Sequence, residues 1–486
     1  MPTHPNIVIF NPDSYRGDVL GHLGNLGACT PNIDALMAGG AVSYANAFAQ
    51  NPVCTPSRCS FMTGLYPHVH GHRSMKNMLK EHEPNLFSVL QREGYHVWWG
   101  GKNDLMAVTC PEDYLKHCDT KYAPPPARGN QKLKGIEKDD PRRNVFYQGI
   151  LDGEGKDWPH LGRDGGMVRG AVDFIGNALA DQPFCVFLPL GNPHPAYRVE
   201  RDFYDRVAPE SLPSRQPVPE RDLPALDKLR EIYGSDRVSD EEWLDIKRIY
   251  YAMCTKVDDL FGQVVRALQD NGHFDNTLII FMSDHGDFAG DYSLPEKTHF
   301  SLQDCLLRVP FVIRPPTDWG AQKGTRNHLV ELVDMCPTIY DLVGIDPEYD
   351  TQGLSLQASL AGDDREIRQC IFAEVGARAG EEAFINRDVS SMRKDSFYAL
   401  QSQASWVAHE SGSYAVMCRS KDYKYIRRGY TSLHELYDLA ADPGELNNLS
   451  GTKQVSEIES EMAIHLLDHF MKTGDVLPHV TDSRQI

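Results

Sequence analysis

The 486-residue chain is too long for one simple core, and its 41% apolar and 24% charged residues suit a globular protein that needs no disulfide staples. A net charge of −19 without any long basic run argues against a nucleic-acid partner, while a local basic pocket for one small anion remains compatible with it. Eleven cysteines, an odd number without CxxC or paired spacing, point to free thiols in a reducing cytoplasm rather than a disulfide framework.

Taken in chain order, the first element is the run Asn6 to Asp13, apolar from Ile7 to Phe10 and closing in a polar turn. It reads as a strand buried on both faces. No basic segment with a following apolar stretch precedes it, so no secretory signal is expected. Nothing approaches the roughly 18 consecutive apolar residues of a membrane span. Next comes a short capped helix, with Thr55 as N-cap, Pro56 in the first turn and Gly64 at C′. This places Cys54 just ahead of a helix N-terminus, where the dipole and free N–H groups favour anions, and Arg58 adds a fixed positive charge.

The stretch from Cys118 to Gly166 is rich in Pro, Gly, Lys and Asp and has no sustained period. It reads as a surface insertion beside a substrate entrance. Two further buried strands follow. Phe184 to Leu190 runs into Gly191-Asn192-Pro193-His194, and Thr277 to Met282 runs into Ser283-Asp284-His285-Gly286. Between them Val257, Phe261, Val264 and Leu268 share one helical face, with Gly272 as the stop. From about residue 365 the alternating runs Tyr414 to Arg419 and Tyr423 to Ile426 predict an antiparallel sheet, and an amphipathic helix follows from about Gln454 to Met471. The expected organisation is an α/β domain over 1–365 and a smaller C-terminal α+β subdomain over 366–486.

A lone cysteine is usually a small buried hydrophobe, and a thiolate activated by the dipole and Arg58 is the second reading of Cys54. The full string Cys54-Thr55-Pro56-Ser57-Arg58, with Gly64 six residues after the arginine, resembles the signature of the formylglycine-dependent (type I) sulfatases of the alkaline-phosphatase-like superfamily. Five residues in that pattern should arise by chance in roughly one chain per thousand of this length. Other family segments have counterparts in the same order. Asp13 matches the first acidic metal ligand, with Ser14 where a second aspartate often stands. Thr30 to Asp34 and Ala45 to Phe48 resemble the lead-in to the nucleophile. Gly101-Lys102 matches a Gly-Lys pair, with Asp104 in place of the usual histidine. Asn192-Pro193-His194, Asp284-His285, Lys297 and the C-terminal Glu435 to Leu439 and Asp442 to Glu445 complete the likeness, which spans about residues 6 to 450. Singly these residues could be a strand end, solvated lysines or ordinary turns. Together they repeat one theme, polar residues released at the C-terminal ends of buried strands, where α/β ligand sites form.

The resemblance implies a large mixed sheet flanked by helices, with a smaller C-terminal antiparallel sheet plus helix. It also implies hydrolysis of a sulfate monoester, after a formylglycine-generating enzyme or equivalent maturase converts Cys54. Asp13, Asp284, His285 and the converted Cys54 would hold one divalent metal, Ca²⁺ first, with the imidazole making Mn²⁺ or Mg²⁺ credible. One hydroxyl of the hydrated aldehyde then attacks sulfur and the other drives sulfate out. Arg58 anchors position 54, Lys102 and Lys297 grip sulfate oxygens, and His194 protonates the leaving oxygen or bonds the sulfate. The expected substrate is a sulfated carbohydrate or other small organic sulfate, with His70, Arg73, Asp104 and His299 as candidate contacts. His70 and Arg73 belong to a polar cluster with His68, His72, Lys76 and Asn77. A phosphonate monoester or phosphodiester hydrolase is the alternative enzyme. A non-catalytic binding protein that keeps Cys54 as a thiol is the alternative class. The sequence leaves oligomerisation open.

Overall fold

Strands that are apolar at nearly every position need cover on both faces, and helices from both sides supply it here. The computed structural model describes residues 4–125, 140–153, 161–376, 378, 381, 414–429 and 431–476. Its large sheet contains β1 (Asn6–Asp13), β2 (Val42–Phe48), β3 (His96–Gly100), β4 (Thr120–Tyr122), β6 (Phe184–Pro193), β8 (Thr277–Met282), β9 (Phe311–Arg314) and β10 (Gly324–Glu331). The strand order is β10-β2-β9-β8-β1-β6-β3-β4. Here β9 runs antiparallel to β2 and β8, while β8, β1, β6, β3 and β4 pair in parallel, so the sheet is mixed.

Alternate residues of the central strands feed two separate cores. Val8, Phe10, Val186, Leu188, Ile279 and Phe281 point to one face, and Ile7, Ile9, Cys185, Phe187, Leu278 and Ile280 to the other. Five helices matter for the site and its cover: α1 (Pro31–Ala38), α2 (Cys54–Thr63), α3 (Gly162–Gly176), α4 (Asp240–Asp270) and α5 (Met335–Val343). Helices α1, α3 and α4 pack on the first face, α2 and α5 on the second.

The predicted face of α4 is present, but the helix begins well before Val257. Ser239 and Glu242 form a capping box, and Trp243, Ile246 and Tyr250 extend the buried stripe. The stretch from Cys118 to Gly166 is not a plain insertion. It supplies edge strand β4, and β5 (Tyr147–Leu151), which pairs with β7 (Tyr197–Glu200). Strands of three and five residues are too short to show a period. Residues 126–139 and 154–160 of that stretch lie outside the described residues.

The second sheet is antiparallel, in the order β11 (Ile371–Val375), β12 (Ala415–Arg419), β13 (Tyr423–Arg428), β14 (Glu435–Asp438). Met417 and Ile426 face the large sheet through Phe48, Leu307 and Leu329. Cys418, Tyr425 and Leu436 face α6 (Ser456–Thr473) through Met462 and Leu466. Among the described residues, no helix is long and apolar enough to cross a membrane.

Candidate active site

Four neighbouring parallel strands, β8, β1, β6 and β3, end at the same edge of the large sheet. Asp13 is the last residue of β1. Asp284 and His285 follow β8, His194 follows β6 and Lys102 follows β3. The turn into Lys102 requires glycine, because Gly101 has φ of 132° and a Cβ there would lie 2.2 Å from the Pro189 carbonyl oxygen. The Lys102 amide donates to that same carbonyl at 2.9 Å.

Helix α2 brings Cys54 into this edge, two positions further into the helix than its sequence suggests. Val53 rather than Thr55 is the N-cap, and its carbonyl accepts from the Ser57 amide at 3.1 Å. The Asn51 side chain, accepting from Val53 N–H at 2.9 Å, sets the chain's approach. Thr55 Oγ1 is buried without a hydrogen-bond partner. Gly64 does close the helix, at φ of 72°.

Arg58 is wholly buried and ties the cluster together. Its Nε donates to Asp284 Oδ2 at 2.9 Å and one terminal nitrogen donates to Asp13 Oδ2 at 3.0 Å. Lys102 Nζ donates to Asp13 Oδ2 at 2.7 Å and lies 3.0 Å from Asp104. Cys54 Sγ sits 3.2 Å from His285 Nε2 and 3.8 Å from Asp13 Oδ1. Beside them, Lys297 Nζ donates to His194 Nε2 and lies 3.1 Å from Glu296. His194 Nδ1 donates to the Pro195 carbonyl at 2.6 Å, which fixes Nε2 as its acceptor.

Electrostatics follow from these contacts. Burial alone would raise the Asp13 carboxyl, but Lys102, His194, Lys297 and His285 together hold it well below the usual carboxylate range. Burial and then Asp13 push the Cys54 thiol upward, so an unmodified Cys54 stays protonated. Burial and Asp13 thus weigh against the activated-thiolate reading. Against the pull of burial, Asp13 keeps Lys102 charged, and Lys297 and His194 keep Glu296 ionised.

Ser14, which stands where the resembling family often has a second aspartate, acts as a clamp. Its hydroxyl donates to Asp13 Oδ1 at 3.1 Å and its amide to Asp284 Oδ1 at 3.3 Å. Asp104 joins the cluster through Lys102, and His299 lies half-buried two residues beyond Lys297. His70 and Arg73 face acidic partners of their own, Glu83 and Glu381. Two contributors escaped sequence reading. Glu296 is a buried carboxylate between Lys297 and His194, and Ser57 donates to the Asp284 carbonyl at 2.5 Å. Glu296 carries no sequence signal beyond its neighbour Lys297, and Ser57 shows its place in the five-residue motif but not this contact.

The residues fit a divalent cation. Donor atoms of Asp13, Cys54, Asp284 and His285 all lie within 4.8 Å of one another, and all four residues are buried. His285 Nδ1 donates to the Gly286 carbonyl at 2.8 Å, which leaves the Nε2 lone pair facing the carboxylates, as in a metal-binding histidine. A cavity of about 470 Å³ opens from Lys102 and His194, lined also by Asn192, Gln148, Arg163 and Arg198. Gln148 and Arg163 come from the region expected beside the entrance.

Known proteins resemble this chain in sequence and in fold. The family model described as Sulfatase matches residues 5–345. An ulvan-active sulfatase from Formosa agariphila is 27% identical over 482 residues, covering 98% of this chain and 82% of that protein. Phosphonate monoester hydrolase from Agrobacterium radiobacter superposes with a TM-score of 0.75 at 21% identity, covering 96% of each chain. A structure solved in complex with its substrate D-glucosamine-2-N,6-O-disulfate has a TM-score of 0.70 at 18% identity, covering 97% of this chain and 98% of that one.

Proposed function

Because the chain belongs to the sulfatase family, as a sulfuric ester hydrolase, we propose that it hydrolyses a sulfated carbohydrate through a formylglycine made from Cys54. The observation that carries this reading is the meeting of four strand ends, Asp13, Lys102, His194 and Asp284-His285, around the first residue of α2.

A divalent cation held by Asp13, Asp284 and His285 would supply Lewis-acid charge, and position 54 as a hydrated formylglycine would supply the attacking hydroxyl. Ca²⁺, Mn²⁺ and Mg²⁺ all suit the carboxylates, and the imidazole favours the latter two over an all-oxygen site. The protein's own residues do the rest. Arg58 fixes Asp13 and Asp284 and holds position 54 in place, while Ser14 and Ser57 brace the two aspartates. Lys102 and Lys297 bind sulfate oxygens and meet the charge that grows as the S–O bond breaks. His194 Nε2, already bonded to Lys297, takes the proton that the Lys297 ammonium donates to it and passes it to the departing alcohol oxygen, which leaves Lys297 neutral. Asp104 keeps Lys102 aligned at the spot where the family carries histidine.

The polar cavity beside His194 supports a hydroxyl-rich substrate, as do the ulvan-active relative and the glucosamine disulfate complex. All eleven cysteines are unpaired, in keeping with a reducing compartment and with a thiol kept free for a maturase. The second reading, phosphonate monoester hydrolysis, draws on the likeness in fold to the Agrobacterium enzyme.

Two measurements test the reading. The mass of the peptide carrying Cys54, from a host that has the maturase, should show an aldehyde in place of the thiol. The matured protein should turn over an aryl sulfate faster than the matching aryl phosphonate, and chelation should stop it until a divalent ion is restored. Faster phosphonate turnover establishes the second reading. Full activity after chelation removes the metal assignment.

A further inference from the structure

The polar loop after α2 contains an arrangement that the sulfate site does not use. His70, His72 and Glu83 bring one nitrogen, one nitrogen and one carboxylate oxygen within 4.8 Å of one another. Glu83 Oε1 lies 2.9 Å from His70 Nδ1 and 3.3 Å from His72 Nε2. Its other oxygen accepts from the Lys80 amide at 2.6 Å, so the carboxylate cannot swing away freely. His72 and Glu83 are buried, whereas the His70 side chain is 28% exposed.

The protonation of His72 makes this more than a polar contact. Its Nδ1 lies 2.8 Å from the Asn77 carbonyl oxygen, which can only accept, so Nδ1 carries the hydrogen. In the neutral ring Nε2 is then a bare lone pair. That atom is buried and has no hydrogen-bond partner, although a carboxylate oxygen stands 3.3 Å away at an unsuitable angle. Two lone-pair-bearing atoms held face to face away from water repel, and a cation between them turns the repulsion into attraction. A histidine whose far nitrogen donates to a backbone carbonyl while the near one faces a carboxylate has the second-sphere pattern of a metal ligand.

We propose that His70, His72 and Glu83 form a second metal site, for a divalent transition ion of the zinc class. Two imidazoles with one carboxylate suit Zn²⁺ better than Ca²⁺ or Mg²⁺, which prefer all-oxygen shells. Three protein ligands leave one tetrahedral position for water, on the side where His70 meets solvent. This assignment shares no residue with the Asp13, Asp284 and His285 set and stands independently of the sulfatase mechanism.

The test uses full-length protein carrying Cys54→Ala and Asp284→Asn, so that the sulfate site competes less for the ion. After chelator treatment and desalting, Zn²⁺ alone is titrated and bound metal is measured by elemental analysis. The expected result is one Zn²⁺ per chain retained, weakened about a hundredfold or more when Glu83→Gln or His72→Ala is added, since even outer-sphere losses cost about 10- to 100-fold. His70→Ala, at a half-exposed position, should act alike, with circular dichroism confirming the fold. No Zn²⁺ uptake by the parent, or equal uptake in parent and His70→Ala, overturns the proposal.

Discussion

Where the small sheet packs on the large one, Lys424 of β13 donates to Glu445 at 2.6 Å and to the Leu302 carbonyl at 3.0 Å, and lies 2.5 Å from Asp304, which Arg419 also grips at 2.9 Å. At the edge of the large sheet, Arg58 and Lys102 hold Asp13 and Asp284 with the same residue types at similar distances. Both clusters are buried, and their ionic contacts look alike. They differ in what is left over. All three Lys424 protons have acceptors. At the sheet edge one buried Arg58 nitrogen has no hydrogen-bond partner, and Cys54 Sγ is met only by the His285 Nε2 and, at 3.8 Å, by Asp13. A saturated charge cluster holds a fold together, and one with unspent donors and acceptors is arranged for something that must still arrive.

Removing the nucleophile should separate the clusters most sharply. Cys54→Ala should lower kcat by roughly four decades or more while leaving the melting temperature nearly unchanged, because a covalent nucleophile is lost but little core volume. A matured variant with a tenth of wild-type turnover would mean that position 54 is not the attacking group. The reverse pattern is expected at the seam. Lys424→Met leaves Asp304 and Glu445 buried with less compensation and should cost about 3–5 kcal/mol in urea unfolding. The kcat of the folded fraction should stay within about twofold of wild type. A fall in kcat without a fall in stability would show that the seam, too, serves catalysis.

Lys297 tests the boundary of the reactive cluster. If it meets charge that grows in the transition state, Lys297→Ala should lower kcat more than it raises KM, by about 2–4 kcal/mol in all. A lysine that merely neutralises Glu296 would instead show its loss in stability, with turnover little changed.

Most of the reactive cluster was legible in the sequence, for a definite reason. The β1, β6 and β8 runs are apolar enough to announce buried strands, and Asp13, His194, Asp284 and His285 stand where those runs stop. What stayed hidden depends on contacts between distant segments. The start of α2 is set by Asn51 and Val53, so Thr55 looked like a cap that tertiary structure does not use. Glu296 looks like any solvated carboxylate until Lys297 and His194 enclose it. His70 and Arg73 read as open sugar contacts, whereas Glu83, thirteen residues beyond His70, and Glu381, about three hundred beyond Arg73, already engage them. The seam was not legible at all, since nothing local pairs Lys424 with Asp304.

The smallest expected effect again sets packing against chemistry, through acid. His469 of α6 stacks on Phe372 of β11 with centroids 3.9 Å apart and meets Tyr66 edge-on at 4.4 Å. Burial, helped by His68 and Lys472, lowers its pKa from 6.5 to about 3. A histidine depressed in the folded state contributes stability that is fully present above 6.5 and is lost as the pH falls toward about 3. At pH 5 the loss should be about 2 kcal/mol, and His469→Phe should flatten it by keeping the stack without the titrating ring. Asp13 contributes no slope in that window, because its carboxyl titrates far below pH 5. Melting curves at pH 7 and pH 5 for both proteins decide the matter. Equal acid loss with and without the imidazole would place the acid-sensitive group elsewhere and return the reactive cluster to consideration.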